Sequence, residues 1–182
     1  MVQQHDAPVV QEMLPQPGRL AIYARVGEAA RLTQQPQTDQ LVEIAEQLGY
    51  SREQLIVYEE RGVSGKKPIS ERESLQQLLQ TITNPPEGEE KIRAILVSSE
   101  DRLFRDADSV SVNSFITTCA EYGVMLLTDT FCYDFTNHAH VSLFRFRCEQ
   151  STLYIEREIQ RRLLTGRTKK RETNGKKKEQ KG

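Results

Sequence analysis

Cysteine is scarce in this 182-residue chain, and the three present, Cys119, Cys132 and Cys148, form no CxxC pair. An odd number without paired spacing argues against a disulfide scaffold or a zinc site and points to a reducing, cytoplasmic setting. Long apolar runs are missing as well. No stretch approaches the roughly 18 residues that a membrane span needs, so no membrane partner is expected. The opening MVQQHDAPVVQEMLPQPG has neither a positive region nor an apolar core. No secretory signal is therefore expected, and residues 1–18 read as a disordered leader. Histidine is limited to three. His138 and His140 form an HAH pair with no ligand partner nearby in sequence, which reads as a polar loop and not as a metal site.

What is present suits one domain of ordinary size with a real core: 37% of residues are apolar and 28% charged. The net charge of −1 conceals a split. From Arg161 to Gly182 ten Lys+Arg face two Asp+Glu, a net +8, and the remainder carries fifteen basic and twenty-four acidic residues, a net −9. A basic tail on an acidic body suits contact with a polyanion, and it equally suits a terminus that only keeps the chain in solution.

Hydrophobic patterning alternates between two periods. LAIYARV (Leu20 to Val26) reads as a first strand. LVEIAEQLG has apolar residues at Leu41, Ile44, Ala45 and Leu48, the spacing of a helix with Gly49 at its C-cap. LIVYEE (Leu55 to Glu60) reads as a second strand and RGVSGKKPIS as a loop. SERESLQQLLQTI predicts a helix from Ser70 to Ile82, with Ser70 as N-cap and Glu73 completing a capping box. IRAILVSS (Ile92 to Ser99) reads as a third strand, about Ala107 to Tyr122 as a helix, and GVMLLTD (Gly123 to Asp129) as a fourth strand. Cys132 and Tyr133 suit a short fifth. From Val141 to Thr168, Phe144, Cys148, Ile155, Ile159 and Leu163 make one apolar stripe along a long helix. Strands alternating with helices predict an α/β domain: a mostly parallel sheet of four to five strands, covered by helices in three layers, plus the long C-terminal helix.

In such sheets ligands gather at the carboxyl ends of the strands. Strand one ends in Arg25-Val26-Gly27. Strand two runs into Ser64, Gly65, Lys66 and, further on, Arg72. Strand three runs into Asp101, Arg102 and Arg105. Three to four arginines from separate segments would converge on one edge, and the planar guanidinium fork matches phosphate oxygens. The edge thus suits a phosphate or phosphodiester. Ordinary surface arginines paired with Glu28, Glu60 and Asp106 are the alternative.

YARVG (23–27), RGVSG (61–65) with a downstream ER, and EDRLFRD (100–106) stand in the order and spacing of the catalytic domain of serine recombinases, the resolvases and invertases. The chain resembles that family over about residues 20 to 168, the large serine recombinases most closely. IEREIQRRLLTGR is also similar to the helix that leads toward the family's DNA-binding part. The resemblance implies a resolvase-like catalytic domain over residues 19–140. A long helix over 141–168 completes it and faces DNA or a second subunit, and a basic disordered tail over 169–182 follows. It implies DNA strand exchange through a phosphoserine intermediate, with no metal or nucleotide cofactor. Arg25, Arg102 and Arg105 would contact the phosphate, Arg72 and Ser64 would support it, and Asp101 would help with positioning or proton transfer. Gln40 matches a family glutamine loosely. The partners implied are DNA and a second copy of the chain, with tetramers on DNA.

Two departures shape the expectation. The family's nucleophilic serine falls at Gly27, which has no side chain to attack with. Losing a nucleophile costs on the order of a million-fold in rate, so the chain as written is expected to be inactive. Beyond the long helix no CxxC pairs and no second helical unit follow, so the basic residues Arg161, Arg162, Arg167, Lys169, Lys170 and Arg171 are expected to bind DNA without sequence specificity. A non-catalytic DNA-binding or dimerisation module derived from a recombinase is the alternative. A phosphate-binding domain of the response-regulator kind needs acidic residues after its first strand, where Arg25 and Gly27 stand.

Overall fold

Leu20, Ala21, Ile22, Tyr23 and Ala24 are consecutive and all inaccessible to solvent. A strand buried on both faces needs a layer on each side, and the fold supplies both. The computed structural model describes residues 18–26, 37–105 and 109–150. Strand β1 (Arg19–Val26) lies inside the sheet, parallel to β2 (Leu55–Arg61) on one side and to β3 (Ile92–Leu96) on the other. Strand β4 (Met125–Leu127) continues in parallel beside β3, and β5 (Cys132–Tyr133) closes the edge antiparallel to β4. The order is β2-β1-β3-β4-β5.

Side chains alternate across each strand and sort the core into two clusters. Leu20, Ile22 and Ala24 pack with Ala94 and Leu96 against Leu41 and Ala45 of α1 (Gln37–Gln47). Ala21, Tyr23, Ile95 and Val97 face the other way. They meet Leu75 and Leu78 of α2 (Glu73–Thr83), Phe115 of α4 (Ser109–Tyr122) and Phe144 of α5, the helix over 138–150. A single turn, α3 (Glu100–Leu103), leaves the end of β3. This is the three-layer α/β architecture expected, with the sheet at five strands.

Helix α1 ends as the sequence suggests. Gly49 takes φ +93, while Tyr50 N–H bonds Ala45 O at 3.1 Å and Gly49 N–H bonds Glu46 O at 3.0 Å, the bond pair of a Schellman cap. The start of α2 differs from expectation. Ser70 belongs to a separate turn (Ile69–Glu71), and the helix opens at Glu73 behind an extended Arg72 that makes no side-chain cap. Arg72 must be extended for its side chain to turn into the core. The first helical N–H groups then find an acceptor across space: Ser74 N–H and Leu75 N–H each bond the Glu60 carboxylate of β2 at 3.4 Å.

The HAH pair also differs. It occupies the first turn of α5 and not a loop, because Asn137 caps that helix: its Oδ1 accepts from Ala139 N–H at 2.9 Å. His140 Nδ1 accepts Asp134 N–H at 3.0 Å, and its ring meets Phe131 edge-on. Phe144 and Cys148, the first two residues of the apolar stripe, are buried. Ile155, Ile159 and Leu163 lie outside the described residues, as do the leader and the basic tail. Among the described residues no helix is long and apolar enough to cross a membrane, and no group of three or more His, Cys, Asp or Glu is placed to hold a metal ion.

Candidate functional site

The connection leaving β1 goes to β2, and the one leaving β3 goes to β4, on opposite sides. The chain therefore parts between the carboxyl ends of β1 and β3, the crevice where open α/β sheets bind ligands. Arg25 stands at one lip and the α3 turn, with Asp101, Arg102 and Arg105, at the other.

Alternation along β1 puts Arg25 on the Ala21–Tyr23 face. It is only 7% exposed. Its guanidinium grips backbone carbonyls: Nε donates to Arg102 O, Nη1 to Val63 O and Nη2 to Asp101 O, each at 3.3 Å. Gly65 lies flat against it. A Cβ built there would sit 3.4 Å from Arg25 Cζ and 3.3 Å from Arg105 Cβ, and Arg105 N–H bonds Gly65 O at 3.1 Å. The loop after β2 thus packs its backbone onto two of the arginines.

Arg72 lies deeper and is fully buried. Nη1 donates to Leu103 O, and Nη2 donates to Tyr23 Oη at 2.6 Å and to Arg102 O at 3.3 Å. The guanidinium lies 5.5 Å from the Tyr23 ring centroid and 5.7 Å from that of Phe104, a cation–π setting for a buried charge. Tyr23 passes the contact on, donating its hydroxyl to Glu60 Oε2 at 3.4 Å. Burial raises the Tyr23 phenol above its ordinary pKa, against the lowering pull of Arg72.

Asp101 orders the outer part. Ser99 Oγ donates to its Oδ1, and Arg105 Nη2 donates to its Oδ2 at 3.0 Å. Burial opposes its ionisation. The bonds from Ser99 and Arg105 and the charges of Arg102 and Arg105 outweigh that and hold the carboxyl below the ordinary range. Burial, then the neighbouring charges of Arg105, Arg102 and Arg72, pulls the Arg25 pKa down. Positive charge is crowded here, and the Nε atoms of Arg72, Arg102 and Arg105 are buried without a hydrogen-bond partner among the described residues. Arg102 and Arg105 are half-buried at the mouth of the crevice, and guanidinium groups gathered there suit an anion.

A family model described as Resolvase, N terminal domain, matches residues 20–181. The chain belongs to the resolvase N-terminal domain family. Among solved structures, the N-terminal catalytic domain of TP901-1 integrase superposes with a TM-score of 0.50 at 24% identity, covering 78% of this chain and 98% of that one. At that identity the likeness is one of fold. The first ORF in transposon ISC1904 from Sulfolobus solfataricus P2 is similar at 18% identity and a TM-score of 0.43, over 68% of this chain and 74% of that one. No curated protein matches the chain.

In this resolvase domain Arg25, Arg72, Asp101, Arg102 and Arg105 come together from three separate segments. Ser64 does not join them as directly: it is exposed, and its Oγ accepts Lys66 N–H at 3.3 Å within the loop. Gln40 is exposed on α1. Gly27, Arg161, Arg162, Arg167, Lys169, Lys170 and Arg171 lie outside the described residues. Ser99, Glu60 and Gly65 were not singled out as site residues by sequence reasoning. Ser99 had a local signal, a hydroxyl two residues before an aspartate. Gly65 stands in the RGVSG motif and Glu60 reads as a possible arginine partner, but the contacts that matter are with residues distant in sequence.

Proposed function

We propose that this resolvase domain holds a DNA phosphodiester at the crevice between β1 and β3, with Arg25, Arg102 and Arg105 facing the phosphate. The observation that carries the reading is the cluster of Arg25, Arg72, Arg102 and Arg105 at the crevice, with Arg102 and Arg105 half-buried at its mouth. In an active relative a serine hydroxyl would form a P–O bond as a deoxyribose oxygen leaves, and the arginines would stabilise the extra negative charge of the five-coordinate phosphorus. Arg72 acts from below by fixing the carbonyls of Arg102 and Leu103. Asp101, its carboxyl held below the ordinary range, is ionised at neutral pH, which favours positioning of Arg105 over proton donation.

Gly27 stands at the nucleophile position, so the chain as written binds DNA without cleaving it. A non-catalytic DNA-binding or dimerising role is the second reading, and the same glycine favours it. The division proposed is a catalytic-type domain over 19–140, the long helix, and a basic tail that adds salt-sensitive contacts. The deciding experiment is Gly27→Ser incubated with DNA spanning the regions that flank its gene. Covalent protein–DNA adducts that appear only with the serine variant support the reading. Adducts formed by the unaltered chain, or DNA binding left unchanged by Arg102→Ala and Arg105→Ala together, refute it.

A further inference from the structure

Glu100 immediately precedes the site residues and takes no part in the arginine cluster. It is only 8% exposed, and a carboxylate so placed needs partners. Both come from beyond the site. Tyr133 of β5 donates its hydroxyl to Glu100 Oε1, and Arg147 of α5 donates Nη1 to the same oxygen at 2.9 Å. Arg147 Nη1 also donates to Thr130 Oγ1 at 3.0 Å. Its guanidinium lies 5.5 Å from the Phe131 ring centroid and 6.0 Å from that of Tyr133, so its position is set by rings as well as by charge. Hydrogen bonding to Glu100, foremost, raises the Arg147 pKa further.

The α3 turn is therefore held from two sides. Arg25 and Arg72 grip the backbone carbonyls of Asp101, Arg102 and Leu103 from β1 and from the residue before α2. The Glu100 side chain ties the first residue of the turn to α5, and Glu100 O accepts Phe104 N–H at 2.9 Å. Moving α5 along its axis would pull on Glu100 and rotate the turn that presents Asp101, Arg102 and Arg105.

We infer that Glu100 and Arg147 form a positioning pair through which the seating of α5 sets the orientation of the arginine-bearing turn. The inference rests on the reading of that turn as a phosphate site. Neither residue touches the anion; both act through the turn.

The test uses the full chain, Glu100→Gln, Arg147→Met and the conservative Arg147→Lys, with Ile116→Val as a core control. Glu100→Gln keeps the shape and the bond from Tyr133 and removes only the charge. Two readouts are taken by NMR: amide hydrogen exchange, and the Nε–H signals of Arg25, Arg102 and Arg105 during titration with inorganic phosphate. Loss of a charge-assisted bond predicts exchange about tenfold faster at the Phe104 and Arg105 amides in Glu100→Gln and Arg147→Met. The Val97 amide, bonded to Leu127 O in the sheet, should not change, and Arg147→Lys should stay close to the parent. Phosphate affinity should fall several-fold in the first two variants and hold in the third. Unchanged exchange at Phe104 and Arg105, or equal acceleration at Val97 and in the Ile116→Val control, overturns the inference, as does unaltered phosphate affinity beside faster exchange. If phosphate moves no arginine signal in the parent chain, the phosphate reading fails, and the exchange data still decide the coupling.

Discussion

Replacing Arg72 by methionine is the most severe single change the site region offers. The side chain keeps much of its length and loses every donor. Leu103 O and Arg102 O then lose their partner from the residue before α2, and Tyr23 Oη loses the bond at 2.6 Å. Glu60 is left 3% exposed with three long bonds of 3.4 Å, from Tyr23, Ser74 and Leu75. Breaking a buried charged network by removing one partner costs about 3–5 kcal/mol. That is a large share of the roughly 5–15 kcal/mol that keeps a domain folded. With a urea m-value of about 2 kcal/mol/M, a loss of about 4 kcal/mol lowers the midpoint by about 2 M. Arg72→Lys, which keeps the charge and reaches fewer acceptors, should fall between the two. The double variant Arg72→Met, Glu60→Gln should recover part of the loss, because it no longer buries a carboxylate at the end of a Tyr23-bridged network that has lost its positive charge. The assay is urea unfolding followed by circular dichroism and fluorescence together. A midpoint drop below about 0.5 M at unchanged m, or a double variant worse than the sum of the singles, would refute the reasoning.

Other outcomes follow from particular contacts. Gly65→Ala places a methyl 3.3–3.4 Å from Arg105 and Arg25; it should weaken DNA binding several-fold while thermal stability changes by about 1 kcal/mol or less, measured by fluorescence anisotropy and melting. Asp101 has a folded-state pKa below its unfolded value. Its contribution is full above the unfolded pKa of about 3.9 and is lost as pH falls through the folded value. The stability of Asp101→Asn should thus be lower than the parent at pH 7 and converge with it in acid, which urea midpoints from pH 7 to pH 2 will show. Cys119, Cys132 and Cys148 are buried and form no disulfide, and burial raises Cys132 to about 11 and Cys148 to about 12. A thiol reagent at pH 8 should label the native chain orders of magnitude more slowly than the unfolded one, and rapid labelling would contradict the packing. If the six tail cations from Arg161 to Lys170 and Arg171 neutralise phosphates, DNA affinity should fall with a log–log salt slope of about −5, lost in a chain ending at Gln160.

Local chemistry is what the sequence carried well. The apolar, β-prone run of β1 reads as a strand, and the period of LVEIAEQLG with Gly49 reads as a helix ending at that glycine, as the structure has them. The three motifs, each short and each at a strand end, were enough to name the arginines that gather at the crevice. Charge asymmetry between body and tail was also legible, since it is a matter of counting.

What tertiary structure decided was every partnership between residues far apart in the chain. Ser70 and Glu73 make a plausible capping box on paper, yet Glu60, from the neighbouring strand, caps α2, because Arg72 turns inward and forces the helix to open after it. His138 and His140 read as loop residues in a polar stretch, yet the Asn137 cap starts α5 there. Gly65 matters because a backbone must lie against Arg25 and Arg105, which no pattern within RGVSG reveals. The link from Glu100 to Arg147 spans 47 positions, and nothing in either local segment announces it. Periodicity and motif spacing record what a residue does with its near neighbours. Which buried carboxylate meets which guanidinium depends on how the layers close over the sheet, and only the folded chain holds that information.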